Sequence, residues 1–219
     1  MDYRSGSRIA ALCGLVVLAA PALARGQSPA AFEGATLDVT SEWIGQDRGD
    51  GSGTYRLTTK VTDSRAGVTI QHELAADRKV DLEVESSESL RVLEGDTERA
   101  HASSDPSELG SWAQAAIAYA IPFDTGFDHE PRKTYRPRDK QVAELVHSAV
   151  PDAKVNTRAA SDGRTTAVVE IPGVVPVSEL AHQFVEIHKA FRAADVGLAK
   201  LQIKGRADTS VSGEAASAQ

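Results

Sequence analysis

The chain has 219 residues, of which 41% are hydrophobic and 25% charged, and its net charge at pH 7 is −7. This length is enough to bury a core in one large domain or two small ones. The acidic balance argues against nucleic acid as a partner, because neutralising phosphates requires a basic face.

The first 24 residues predict a cleaved secretory signal peptide. Arg4 and Arg8 give a positive start, and the uncharged run 9–24 ends in Pro-Ala-Leu-Ala. These 16 residues fall short of the roughly 20 that a membrane-spanning helix needs, although a retained anchor is the alternative. Cleavage after Ala24 removes two basic residues and one acidic residue, leaving a net charge of −8, and also removes Cys13, the single cysteine. We therefore predict a periplasmic or secreted bacterial protein without disulfides and without a transmembrane segment in the mature chain.

Residues 25–121 predict an antiparallel β-sheet module that ends in a helix. Apolar and polar side chains alternate over 37–43, 55–61, 68–74 and 80–84, and glycine-containing turns separate the first three runs. This period of two predicts a β-meander with one packed and one solvated face. Arg56 and Lys60 in the second run face acidic residues of its neighbours, which favours charge pairing across strands over a binding face. An Ala-rich helix is predicted over 107–121, before Pro122.

Residues 122–138 predict an irregular connection that carries the candidate binding site. It is rich in proline and contains a basic cluster around one tyrosine in an otherwise acidic chain. The candidate partner-binding residues are Arg132, Lys133, Tyr135, Arg136 and Arg138. Positive charge beside aromatic rings suits an anionic lipid headgroup, an acidic glycan or an acidic partner protein, whereas the alternative is a solvated linker.

Residues 139–205 predict an α-β-β-α-β sandwich, so the fold class is α+β. Asp139 is predicted to cap the first helix, and Ser161-Asp162-Gly163 joins two strands. Apolar residues at three- and four-residue steps from Val177 to Phe191 give the long helix a buried face. A last strand spans 198–204, and the small, polar tail 206–219 is predicted to be disordered.

The order of elements over 139–205, with Asp162-Gly163, Glu170-Ile171-Pro172-Gly173 and Asp195-Val196-Gly197, resembles a BON domain. The resemblance implies an envelope protein associated with phospholipid or outer-membrane integrity. The same stretch is also similar to an OmpA-like domain. Val185, however, stands where such domains carry the arginine that holds peptidoglycan, so that binding is not transferred.

The motifs that carry known chemistry do not occur, so no catalytic residue, metal or cofactor is assigned. His182 and His188 are six residues apart, whereas zinc-protease helices space their histidines by four. We expect His182 to be exposed and His188 to be packed.

The functional prediction is an exported, non-catalytic envelope protein. It would act as an adaptor or assembly factor that binds a partner protein or an envelope surface. The alternatives are a periplasmic carrier of a hydrophobic ligand or lipid and, third, a hydrolase with an unrecognised site.

Overall fold

The computed structural model describes residues 31–81, 83–124, 127–132 and 136–210, so the predicted signal peptide lies outside these ranges. Its strands are β1 (Thr36–Asp47), β2 (Gly53–Asp63), β3 (Val68–Arg78), β4 (Val84–Glu94), β5 (Thr97–Ala102), β6 (Lys154–Ala159), β7 (Thr165–Glu170), β8 (Val175–Pro176) and β9 (Lys200–Asp208). Its helices are the 3₁₀ segments η1 (Pro106–Trp112) and η2 (Ile121–Asp124) and the α-helices α1 (Ala113–Tyr119), α2 (Asp139–Ala149) and α3 (Val177–Ala193).

One nine-stranded sheet runs through both halves of the chain, in the order β5-β4-β3-β2-β1-β9-β7-β6, with β8 paired to β9. Strands β1 to β5 pair antiparallel in sequence order, whereas β9 pairs antiparallel with β1 and parallel with β7. The pairing of β1 with β9 joins the two halves into a single sheet. The α+β class predicted from the sequence is confirmed.

Period-two alternation divides this sheet into an inner and an outer face. Leu37, Leu57 and Ile70 are fully buried on the inner face. Each such side chain contributes roughly 1.5–3 kcal/mol by leaving water. Their sequence neighbours point to the opposite, solvated face.

The helices of the described ranges cover the inner face. Helix α3 contributes a buried stripe that includes Leu180, Phe184 and Ile187. Phe123 of η2 meets Phe184 edge to face with ring centroids 5.1 Å apart, so the helical segments of the two halves share one core. Within the described part of the chain, no helix is both long enough and apolar enough to cross a membrane.

Several sequence predictions need correction. Val80 lies in the turn before β4 and is 63% exposed, because β4 begins only at Val84. The segment that was predicted as one helix over 107–121 is split by Gly110, whose φ of 62° interrupts the helical path before α1. Asp139 is the first residue of α2 rather than its cap, and its carboxylate accepts a hydrogen bond from Thr157 at 2.6 Å.

The start of the predicted disordered tail is also wrong. Strand β9 continues to Asp208, and Thr209 is buried with its hydroxyl 2.6 Å from the carbonyl oxygen of Phe32. The tail prediction failed here because polar composition does not reveal that β1 and Phe32 supply partners. Residues 211–219 of this prediction lie outside the described residues.

Candidate functional site

A row of polar residues crosses the otherwise apolar inner face. Ser41 of β1 stands opposite Thr59 of β2, which stands opposite His72 of β3. All three residues are buried. Each side chain points to the inner face of its strand, so the alternation that buries the apolar core residues also buries this polar row.

Asp124 meets this row from the covering segment. Ile121 starts the short η2 turn, Phe123 is buried in the core, and Asp124 ends the turn over the middle of β2 and β3. Its Oδ1 accepts a hydrogen bond from the Thr59 hydroxyl at 2.5 Å, and its Oδ2 is in direct contact with His72 Nδ1.

The second ring nitrogen of His72 is also engaged. Nε2 lies 2.8 Å from Oε1 of Glu88, on the neighbouring strand β4. The His72 and Asp124 side chains are 2% and 5% exposed, whereas that of Glu88 is 32% exposed. The cluster of Thr59, His72, Glu88 and Asp124, here called the buried cluster, therefore runs from the core to the surface and links three strands to η2.

Electrostatics favour a proton held within the buried cluster. Burial alone would lower the pKa of His72, but the hydrogen bonds and charges of Asp124 and Glu88 raise it above its usual value. Burial raises the pKa of Asp124, and contacts with His72 and Thr59 offset that only in part. Because both pKa shifts are upward, the His72–Asp124 pair holds its shared proton more firmly than the separate side chains would.

The geometry suits a structural link better than a catalytic base. A general base needs a free ring nitrogen within hydrogen-bond reach of its substrate, and both nitrogens of His72 are occupied. Ser41 lies two strands away from His72, about 10 Å at ordinary strand spacing, which is too far for a nucleophile and base. The Asp–His contact alone therefore does not make a hydrolase site.

The outer face of the sheet is a second candidate site. Polar and charged side chains line this face. It contains two shallow depressions, one toward β4 and the other toward β6. One, of about 630 Å³, lies across β1 to β4 and includes Ile44, Arg56 and Asp77. The other, of about 560 Å³, lies across β6, β7 and β9 and includes Arg158, Glu170 and Lys200. The side chains at the outer positions of these strands are exposed or half-buried.

The predicted basic cluster of the connection is only partly described, and its described members do not converge. Arg132 is 11% exposed and forms an ion pair with Asp128. Arg136 donates to the carbonyl oxygen of Asp162 at 3.4 Å, and exposed Arg138 precedes α2. Lys133 and Tyr135 lie outside the described residues.

A small crevice beside the connection contains a histidine without a hydrogen-bond partner in the described part of the chain. Trp43 donates from Nε1 to the carbonyl oxygen of Asp128 at 3.0 Å, and Arg192 lies 3.4 Å from the Asp128 carboxylate. His188 is buried here, and its Nε2 is unpaired. The space of about 30 Å³ is the size of one water molecule.

Sequence reasoning located the two helix histidines correctly but missed the buried cluster. His182 is exposed and His188 buried, as expected. The alternation over 68–74 gives His72 an inward position but indicates no role for it, although a histidine among apolar neighbours and an aspartate after Pro-Phe are both visible signals. Among the described residues, no group of three or more His, Cys, Asp or Glu side chains is arranged to hold a metal ion.

Comparison with known proteins gives no assignment. No family model, no curated protein and no solved structure matches this chain.

Proposed function

We propose that this chain is an exported, non-catalytic protein of the bacterial cell envelope that acts as an adaptor or assembly factor by binding a partner protein. The observation that carries the proposal is the one-sided architecture. The described helices all pack on the inner face, and the outer face of a wide sheet presents polar side chains with nothing from the described residues covering it. Such a face offers a large, rigid surface for recognition.

The packed interior favours a role in binding a partner at the surface over a role in carrying a ligand inside the protein. A carrier of a hydrophobic ligand needs an apolar chamber. Phe32, Phe123 and Phe184 are completely buried and fill the space between the sheet and its helices. The depressions of about 630 and 560 Å³ lie instead on the polar outer face.

The export and module assignments belong to the same proposal. They rest on the signal-like residues 1–24 and on the order of elements, with a β-meander module over 25–121 and a BON-like α-β-β-α-β sandwich over 139–205. Cell fractionation with N-terminal sequencing tests export. A periplasmic or secreted product that begins at Arg25 supports it, and an uncleaved cytoplasmic product contradicts it.

Site-specific photocrosslinking in cells tests the binding surface. A photoreactive phenylalanine is placed at Thr58 or Val168 on the outer face, and at Lys140 or Glu179 on exposed helix surfaces as matched controls. We expect one envelope protein, identified by mass spectrometry, to crosslink from both outer-face positions and from neither helix position. Crosslinks that arise only from the helix positions, or equally from all four, would contradict the proposal.

A further inference from the structure

From β2 across β1 to β6, the charge on the outer face is opposite in sign to the net charge of the chain, whereas Glu73, Asp77 and Glu85 make the outer positions of β3 and β4 acidic. On the outer positions of β1, β2, β6, β7 and β9, seven side chains are basic and four are acidic, in a chain whose net charge is −7. The basic members are Arg56, Lys60, Lys154, Arg158, Lys200, Lys204 and Arg206, and the acidic ones are Asp38, Glu42, Glu170 and Asp208.

Some of these charges are neutralised within the sheet. Arg56 lies 3.7 Å from Glu73, and Lys200 pairs with Glu42. The Arg56–Glu73 contact agrees with the sequence prediction of charge pairing across strands. The prediction is wrong for Lys60, which stands opposite Thr40 and Gln71 and forms no ion pair with the described residues.

Lys60, Lys204 and Arg206 form a compact group, here called the three-cation patch. Lys60 and Lys204 stand on either side of Thr40, so their Cα atoms are separated by two strand spacings, or about 10 Å. Arg206 follows Lys204 by two residues on the same face of β9, about 7 Å further along. All three side chains are exposed.

No ion pair joins the three-cation patch to any residue of the described ranges. Asp38 stands opposite Arg206, but its Oδ2 accepts a hydrogen bond from Ser64 at 2.7 Å. Glu170 stands opposite Lys204 without an ion pair between them. Lys60 stands opposite Thr40 and Gln71, so the patch keeps positive charge on exposed side chains that an anionic ligand can reach.

The surroundings of the patch restrict the kind of anion. The depression of about 560 Å³ begins beside the patch at Gln202 and Glu170, the neighbours of Lys204 on β9 and β7, and this concave surface suits a chain better than the plane of a bilayer. The described outer positions of these five strands include no aromatic side chain on which a sugar ring could stack. Threonine, glutamine and asparagine side chains around the cations instead supply the hydrogen-bonding groups that suit a polypeptide backbone.

We propose that the three-cation patch is the docking site for an acidic segment of a partner protein, which lies across β2, β1 and β9. The inference rests on the proposed binding function and adds the chemistry of the partner. It places the partner-binding site on the sheet, and not on the basic residues of the connection 122–138 that the sequence predicts.

Fluorescence anisotropy with a labelled peptide of alternating Glu and Ser tests the patch in the purified chain. The variant K60Q/K204Q/R206Q removes its charges, and K140Q/K189Q/R99Q removes three surface charges elsewhere, each from an ion pair with a neighbouring glutamate. We expect the first variant to bind about tenfold more weakly, or about 1.4 kcal/mol over three ion pairs, and the second to bind like the wild type. Unchanged melting temperature in both variants separates this effect from unfolding.

Three results would overturn the inference. One is an equal loss of peptide binding in the two variants, which would indicate a response to net charge alone. Another is patch-dependent binding that is tighter to vesicles of anionic phospholipid, or to a sulfated polysaccharide, than to the peptide. The third is undiminished outer-face crosslinking of the K60Q/K204Q/R206Q variant in cells, which would leave the binding function standing without the patch.

Discussion

His72 on β3 and Glu88 on β4 are joined by a 2.8 Å contact between Nε2 and Oε1 at the edge of the buried cluster. The contact connects the buried His72–Asp124 pair to solvent, because Glu88 is the more exposed member of the link. Removing its charge therefore perturbs the buried pair without opening the core.

We expect Glu88→Gln to lower the pKa of His72, because one of the two carboxylates that stabilise the imidazolium is lost. Titration of the His72 ring signals by NMR measures the change, and the exposed His101 on β5 serves as an internal reference. An unchanged His72 titration in the variant would show that Glu88 does not contribute to the raised pKa of His72.

The pH dependence of stability follows from the same raised pKa of His72. The contribution of this imidazolium is fully present below about pH 6.5, its usual value, and is lost as the pH rises through the folded-state pKa. Glu88→Gln should shift that loss to lower pH. Urea unfolding of both proteins across this interval measures the shift, and parallel stability curves would contradict the prediction.

Asp124→Asn should destabilise the fold by about 3 kcal/mol, because removing one partner of a buried ion pair leaves the other uncompensated. The variant also weakens the contact with Thr59 that ties η2 to β2. Asp152→Asn, in the exposed turn after α2, provides a control with the same chemical change. The free energy of unfolding from urea denaturation distinguishes them, and a loss below about 0.5 kcal/mol for Asp124→Asn would contradict the structural role.

His188 should make the protein less stable in acid. Burial, together with the charge of Arg192, lowers the pKa of His188 from 6.5 to about 4. Between these values the unfolded chain binds a proton that the folded chain does not, so stability falls as the pH drops below 6.5, by roughly 2–3 kcal/mol on reaching pH 4. In His188→Gln this part of the loss should disappear, whereas the exposed control His182→Gln should retain it; identical acid profiles for the two variants would refute the assignment.

Gly205 of β9 allows Leu180 of α3 to approach the sheet. A Cβ at this glycine would lie 2.6 Å from Leu180 Cδ1. Gly205→Ala should therefore cost about 2 kcal/mol through overpacking, and less than about 0.5 kcal/mol in a Leu180→Ala background where the space is free. A double-mutant cycle of unfolding free energies measures the coupling, and equal costs in both backgrounds would show that the contact is relieved by other movements.

The sequence by itself determined most of the elements and their faces. Alternation placed Leu37, Leu57 and Ile70 on one face of their strands, and the three- and four-residue spacing from Leu180 to Phe191 identified the buried face of α3. These patterns are local, because the period of side-chain direction follows from the backbone geometry of a strand or helix.

Only the tertiary structure decided which distant residues share a surface. Lys60 and Lys204 are 144 positions apart in the sequence, and the pairing of β1 with both β2 and β9 places them on either side of Thr40. His72 and Asp124 meet because η2 folds over β3. Such contacts depend on the order of the strands and on the packing of the covering segments. Both result from many non-local interactions, which produce no periodic pattern in the sequence.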